Sequence, residues 1–135
     1  MVEMFAEYTG EKHCELTHGP SRSRLETDAP KDNQGRGERF SPTDLMGAAL
    51  ASCVLTTIAI MAEKDGIVLK GMKARVTKEM HPSPRRIARL PVEVTMPAGV
   101  SPRDRARFEA AAHSCPVHKS LSPEVDAPIT FNYPD

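Results

Sequence analysis

Aromatic residues are scarce in this sequence, which has no tryptophan, two tyrosines and four phenylalanines among its 135 residues. Proteins that bind single-stranded nucleic acid stack bases on aromatic side chains, so the composition argues against that function. A net charge is also lacking, because 18 basic residues balance 18 acidic ones. This balance argues against nucleic acid or a membrane surface as a partner held by bulk electrostatics.

Cysteines are few, and they are Cys14, Cys53 and Cys115. An odd number at wide spacing does not match the disulfide framework of a small secreted protein. The first residues lack the basic region and apolar stretch of a signal peptide. We therefore expect a cytoplasmic protein whose thiols stay free unless a reaction oxidises them. The length fits a single domain over residues 1–135.

The longest predicted element is a helix that begins after Ser41, a residue type that caps helix N-termini. Pro42 suits the first helical position, and no charged residue occurs from Leu45 to Ala62. Such a run is long enough to span a membrane, but its Ala, Gly, Ser and Thr content favours a helix buried in a soluble protein. One short chain has difficulty surrounding it, so we expect a homodimer that buries these helices in a shared interior.

Short strands are predicted on both sides of this helix. The predicted elements are strands at Met4–Tyr8, Cys14–Thr17 and Arg24–Thr27, a long hairpin of Met72–Met80 with Ile87–Met96, a helix from Ser101 to about His113, a short helix after Cys115 and a strand within Pro128–Tyr133. The pattern indicates an α+β fold. Basic residues on the hairpin favour a solvated face over a nucleic-acid site, given the neutral total charge.

Two cysteines are candidates for thiol chemistry. Cys115 precedes Pro116 and should lie at a helix N-cap, where backbone N–H groups stabilise a thiolate, with His118 one turn further on. An unreactive capping thiol remains the alternative. Cys53 lies within the long helix with no positive charge near it in the sequence, so it also fits a buried, inert side chain. On the residues alone, Cys115 is expected to be the more acidic thiol.

Two further interpretations stay open. His113, Cys115 and His118 are ligand types for zinc at short spacing, but a closed site needs four ligands, so His13 or Cys14 would have to complete it. Asp44 fits a helix cap, with the orientation of an arginine as its second possible role.

Four segments together resemble the OsmC/Ohr family, in particular its OsmC-like branch. They are Thr27–Pro30 (TDAP), Phe40–Leu45 (FSPTDL), Ala48–Cys53 (AALASC) and Cys115–Leu121 (CPVHKSL). The resemblance implies an OsmC-like α+β fold, with antiparallel sheets and a long central buried helix, assembled as an intertwined homodimer. It also implies reduction of organic hydroperoxides in oxidative-stress defence, in which Cys53 attacks the peroxide, Cys115 resolves the sulfenic acid as a disulfide, and a dithiol reductant regenerates the pair. No cofactor and no metal are implied.

The sequence departs from the family at the start of the long helix. The best-studied members carry a Glu there that pairs with a thiol-activating Arg, whereas this chain has Thr43, followed by Asp44. Two alternatives stay open: Asp44 serves in its place with a shorter reach, or the pair is absent. His118 is a further supporting candidate. The activating arginine should come from the N-terminal segment, where the candidates are Arg22, Arg24, Arg36 and Arg39.

A binding protein without peroxidase turnover is the alternative function. In this interpretation an apolar groove between subunits, lined by Met46, Leu50 and Met61, holds a small hydrophobic ligand.

Overall fold

Three N-terminal strands form an antiparallel meander. The structure is a computed structural model that describes residues 1–134, which divide into two compact units, Met1–Met46 and the residues from Gly47 onward. In the first unit, β1 (Met4–Gly10), β2 (His13–His18) and β3 (Arg24–Asp28) pair in sequence order. The three predicted strands are confirmed to within two residues at each end.

The two faces of this meander differ in polarity because side chains alternate along each strand. The register places five apolar side chains on one face, which we call the apolar sheet face: Met4, Ala6, Tyr8, Leu16 and Leu25. Met4, Tyr8 and Leu25 are 72%, 64% and 57% exposed. A groove of about 520 Å³ lies against this surface. An antiparallel sheet usually packs one face on a core, so an exposed apolar face indicates a missing partner.

The opposite face carries a network of charged side chains around His13. Its Nδ1 lies 2.6 Å from Oδ1 of Asp28, and its Nε2 lies 3.0 Å from Oε1 of Glu26. Asp28 is buried and also accepts hydrogen bonds from the Glu38 N–H and the Arg36 guanidinium. The hydrogen bond to Asp28 raises the pKa of His13 despite partial burial, and the same bond lowers the pKa of Asp28. A protonated imidazole donates from both nitrogens and so fits between the two carboxylates.

The long helix α1 covers Pro42–Glu63 and begins at the proline predicted for its first position. It begins with a reciprocal capping box: the Asp44 N–H donates to Oγ of Ser41 at 3.0 Å, and the Ser41 N–H donates to Oδ2 of Asp44 at 2.9 Å. Beyond its end, Gly66 has φ of 70°, a left-handed conformation that glycine adopts without strain.

One side of α1 packs into the core of the second unit. Leu50, Val54 and Ile58 have no exposed surface. Gly47 allows the backbone of α1 to lie close to Leu90, since a Cβ at this position would be 3.3 Å from Cδ2 of Leu90. On the other side of α1, Ile60 is 56% exposed.

By length and composition alone, α1 could also cross a membrane, with a mean hydropathy of 2.1 over its most apolar stretch. The core helix of a soluble protein meets the same criterion, so this property does not distinguish the two cases.

The predicted long hairpin is split into two parts. β4 (Lys73–Val76) pairs with β7 (Val92–Thr95), and β5 (Glu79–Pro82) pairs with β6 (Arg85–Arg89) in a separate sheet. Pro91 has no N–H to donate, which interrupts the ladder, although its carbonyl still accepts from the Thr77 N–H at 3.2 Å.

The remaining elements follow the sequence signals closely. α2 covers Pro102–Ala112 after the N-cap Ser101, and α3 covers Pro116–Ser120 after the N-cap Cys115. β8 (Ile129–Asn132) adds to β7 in parallel, which gives the sheet order β4-β7-β8. Core side chains come from α1, β7 and α2, with Phe108 as the largest fully buried residue.

The His13 network predicts a pH dependence of stability. Because the pKa of His13 is raised on folding, the folded chain holds this proton more tightly, and the stabilisation is lost as pH rises through the raised pKa. We expect the free energy of unfolding in urea to fall as the pH rises from the ordinary histidine value of about 6.5 through the raised pKa of His13. Glu26 and Asp28 do not titrate in this window, because their pKa values are lowered.

His13→Gln should flatten this pH dependence, because it removes the titrating ring. His18→Gln is the matched control, since His18 lies on the same strand and hydrogen-bonds Ser21 instead of a carboxylate. Equal pH slopes for the wild type and His13→Gln would contradict the assignment.

Candidate functional site

Cys53 lies on α1 at the border between its buried and exposed sides. The side chain is half-buried and packs against the core cluster of the second unit. Its Sγ lies 3.9 Å from Oγ1 of Thr57, one helical turn further along. Cys53 is therefore neither fully enclosed nor freely solvated.

Cys115 is the N-cap of α3, as the sequence predicts. Its Sγ accepts a hydrogen bond from the His118 N–H at 3.4 Å, and the residue has no exposed surface. Burial of this sulfur in the core explains why it caps the helix without contacting solvent.

The structure brings these two thiols together. The side chain of Cys115 hydrogen-bonds that of Cys53, and the Val117 N–H, at the start of α3, also hydrogen-bonds Cys53. Both cysteines are free thiols, so they form a reduced pair. Sixty-two positions separate them in the sequence (115 − 53), and the packing of α3 on α1 closes that separation.

The two thiols differ in acidity. Burial raises the pKa of Cys53, but hydrogen bonds from Cys115, the Val117 N–H and Thr57 outweigh it and hold the pKa below the usual value for a cysteine. Burial raises the pKa of Cys115, and the hydrogen bond to Cys53 raises it further. Cys53 is consequently the thiol that ionises first, and it is the better nucleophile of the pair.

The expectation that Cys115 is the more acidic thiol is therefore wrong. The helix-start position was predicted correctly, but a backbone N–H of that helix stabilises the sulfur of Cys53, on another element. Only the His118 N–H and a weaker contribution from Val117 favour the ionised form of Cys115, and burial exceeds both.

The predicted supporting residues Asp44, Arg24 and Arg39 each have a partner within the first unit. Asp44 caps α1. Arg24 pairs with Glu15 at 3.1 Å, and Arg39 pairs with Glu26 at 3.4 Å, both on the polar face of the meander.

His118 fixes the position of α3. Its Nε2 lies 3.0 Å from the Ala127 carbonyl, to which the ring N–H donates, and this bond ties α3 to the segment before β8. Its backbone N–H caps onto Cys115. His118 therefore holds in place the helix that contacts both thiols.

Thr57 and Val117 were missed by sequence reasoning. A hydroxyl four residues after Cys53 on a helix is a readable signal, because residues at that spacing are neighbours on the helix surface. The contribution of Val117 comes from its backbone, so no side-chain identity reveals it.

Two other sequence interpretations find no support in the geometry. Within residues 1–134, no group of three or more His, Cys, Asp or Glu side chains is placed to hold a metal ion. Leu50 is fully buried in the core, so it does not line a ligand groove as expected. Cys14 lies on β2, opposite Tyr8 and Thr27.

Thr57→Val tests the origin of the low pKa of Cys53. Removing the hydroxyl should raise this pKa toward the ordinary value of about 8.5, because one donor to the thiolate is lost. The pH dependence of iodoacetamide alkylation, followed on the Cys53 peptide by mass spectrometry, measures the change.

Thr56→Val is the matched control, because Thr56 precedes it on the exposed side of α1. An identical alkylation profile for both variants and the wild type would show that the hydroxyl of Thr57 contributes nothing.

The chain is similar to known proteins over nearly its whole length. The sequence profile of the family described as OsmC-like protein matches residues 35–129. A crystal structure from Psychrobacter arcticus, whose suggested role is an osmotic stress induced and detoxification response protein, is 37% identical, with a TM-score of 0.93 over 98% of this chain and 96% of that chain. No curated protein sequence matches.

More distant structures share the fold. An organic hydroperoxide resistance protein OsmC from Legionella pneumophila has 19% identity and a TM-score of 0.75 over 98% of this chain and 96% of that chain. The organic hydroperoxide resistance protein OhrB of Bacillus subtilis has 17% identity and a TM-score of 0.68, covering 98% of each chain.

Proposed function

Because the chain belongs to the OsmC-like protein family, which is linked to hydroperoxide resistance and osmotic stress, we propose that it reduces organic hydroperoxides with Cys53 and Cys115. The observation that carries this proposal is the contact between the two thiols, in which Cys53 has a lowered pKa. Peroxide reduction by a thiol requires thiolate character at one sulfur and a second thiol within reach.

The first step is attack by the Cys53 thiolate on the terminal oxygen of the hydroperoxide. The O–O bond breaks, Cys53 becomes a sulfenic acid, and the alkoxide that leaves takes up a proton to give the alcohol. The sulfur is oxidised and the peroxide is reduced by two electrons.

The second step is condensation with Cys115. Its sulfur attacks the sulfenic sulfur, a disulfide forms, and the hydroxyl leaves with the thiol proton as water. The interaction between the two side chains supports this step, because the resolving thiol lies beside the thiol that is attacked. A dithiol then reduces the disulfide and returns both thiols.

An organic substrate suits the surface beside Cys53. The exposed side of α1 carries uncharged residues around the site: Met46, Ala49, Ser52, Thr56 and Ile60. Such a surface binds an alkyl group in preference to hydrogen peroxide, because burial of apolar area contributes to affinity.

Single-cysteine variants test the proposal with cumene hydroperoxide and dihydrolipoic acid as the dithiol. Cys53→Ser should lose turnover by 10³-fold or more, on the order of a removed nucleophile. Cys115→Ser should give one turnover and a stable sulfenic acid at Cys53, detected with dimedone by mass spectrometry.

Cys14→Ser is the matched control and should retain activity, since Cys14 lies on β2 and has no assigned role. Full activity in Cys53→Ser, or no disulfide between Cys53 and Cys115 after peroxide treatment, would overturn the proposal.

We also propose that the chain works as a homodimer in which the apolar sheet face is covered by the second copy. Support comes from the exposure of this sheet face, on which Met4, Tyr8 and Leu25 are accessible to solvent. The five side chains that define the face carry no charge, as is typical of surfaces buried between subunits.

Leu25→Arg should shift the protein from dimer to monomer, because a charge would be buried in the interface. Sedimentation velocity over a range of concentrations measures the state. Glu7→Arg is the matched control on the opposite face of the same sheet and should stay dimeric. A monomeric wild type, or equal dimerisation of both variants, would exclude this interface.

Binding of a small apolar ligand without turnover is the second candidate function, and the groove on the apolar sheet face favours it. A monomeric wild type that binds an apolar fluorescent dye and lacks peroxide turnover would select it. For the peroxidase, a reducing cytoplasm is the location we propose, because the cysteine pair must be returned to free thiols.

A further inference from the structure

We propose that the reductant attacks the disulfide at the sulfur of Cys53, so that the mixed disulfide forms on Cys53 and Cys115 leaves as the thiolate. This inference rests on the proposed disulfide and assigns the contact site of its dithiol partner. The reductant could attack either sulfur of the disulfide. The two sulfurs differ in their access to solvent and in their hydrogen bonds.

The two sulfurs differ in how easily an incoming thiolate can reach them. Thiol–disulfide exchange needs the incoming thiolate to approach in line with the S–S bond, on the side away from the leaving sulfur. Cys115 has no exposed surface and is enclosed by the core, whereas Cys53 borders the exposed side of α1. A second copy of the chain can only remove surface, so the burial of Cys115 persists in a dimer.

Backbone hydrogen bonds also stabilise the sulfur that leaves, which is Sγ of Cys115. The His118 N–H already donates to Sγ of Cys115, and the Val117 N–H also favours its ionised form. A thiolate that leaves at this position therefore gains two backbone donors without any rearrangement of α3.

The acidity of the leaving thiol, by contrast, favours attack at Cys115. A thiol of lower pKa leaves faster, and the pKa of Cys115 is raised by burial and by Cys53. Part of that effect disappears once Cys53 carries the reductant, because its sulfur is then neutral and no longer repels a charge on Cys115. The enclosure of Cys115 remains, so access decides which sulfur is attacked.

The exchange is balanced as follows. The thiolate of the reductant forms a bond to Sγ of Cys53, the bond between Cys53 and Cys115 breaks, and its electron pair goes to Cys115, which takes up a proton. The second thiol of the reductant then attacks its own sulfur in the mixed disulfide. Cys53 leaves as a thiolate, and the reductant is released as a disulfide, oxidised by two electrons.

A trapping experiment with glutathione, which has one thiol, locates the attacked sulfur. The disulfide is prepared in Cys14→Ser protein with diamide, which requires no peroxidase activity, and is confirmed by mass spectrometry. After brief exposure to glutathione, acid stops the exchange and N-ethylmaleimide marks the free thiol. We expect glutathione on the Cys53 peptide in an excess of about ten-fold or more over Cys115.

Pro116→Gly gives an independent measurement of access. Loss of the fixed φ at the first helical position loosens α3 and should increase the share of glutathione on Cys115. Predominant or equal labelling of Cys115 in the protein with native Pro116 would overturn the inference. If labelling falls on Cys53 but a hydroperoxide forms no disulfide, the proposed activity fails while this assignment stands; failure of diamide to link the two cysteines would overturn both.

Discussion

The hydrogen bond between Cys115 and Cys53 is the contact on which the proposed chemistry of this chain depends. It joins the start of α3 to the middle of α1, and with the Val117 N–H it offsets the burial that would otherwise keep Cys53 neutral. The rest of the second unit serves this contact: β7 and α2 support the buried side of α1, and His118 ties α3 to the chain before β8. The pair differs in acidity because the hydrogen bonds to Cys53 outweigh its burial, whereas the burial of Cys115 outweighs the backbone donors that it receives.

Local signals in the sequence were sufficient for most elements. Ser41 and Pro42 locate the start of α1, Ser101 and Pro102 that of α2, and Cys115 that of α3, because each pattern satisfies backbone donors within a few residues. The family and its fold were also recognisable, since the segments around Cys53 and Cys115 carry the specific motifs and the profile match covers both. The sequence predicted one long hairpin and missed its division into the pairs β4–β7 and β5–β6. Where a strand pair is interrupted depends on which strands pair, and the sequence does not show this.

The electrostatics of the site were not predictable from the residues. Helix-start reasoning places donors near Cys115, and that placement is right, yet the direction in which the Val117 N–H points is a tertiary property. Burial of Leu50 and exposure of Ile60 on the same helix likewise depend on which side meets the sheet. A helix that is apolar on nearly all sides has no polar face to show which side meets solvent. Its sequence therefore does not predict which of its residues are buried.

Gly47 lies six residues before Cys53 on α1, and it sets how closely the helix approaches Leu90 and Val76. A methyl group there would lie 3.3 Å from Leu90 and 3.6 Å from Val76, so the neighbours or the helix would have to shift by a few tenths of an ångström. A helix transmits such a shift along its axis as a nearly rigid rod. The spacing between α1 and its neighbours, and with it the position of Cys53, therefore depends on the absence of a side chain at Gly47.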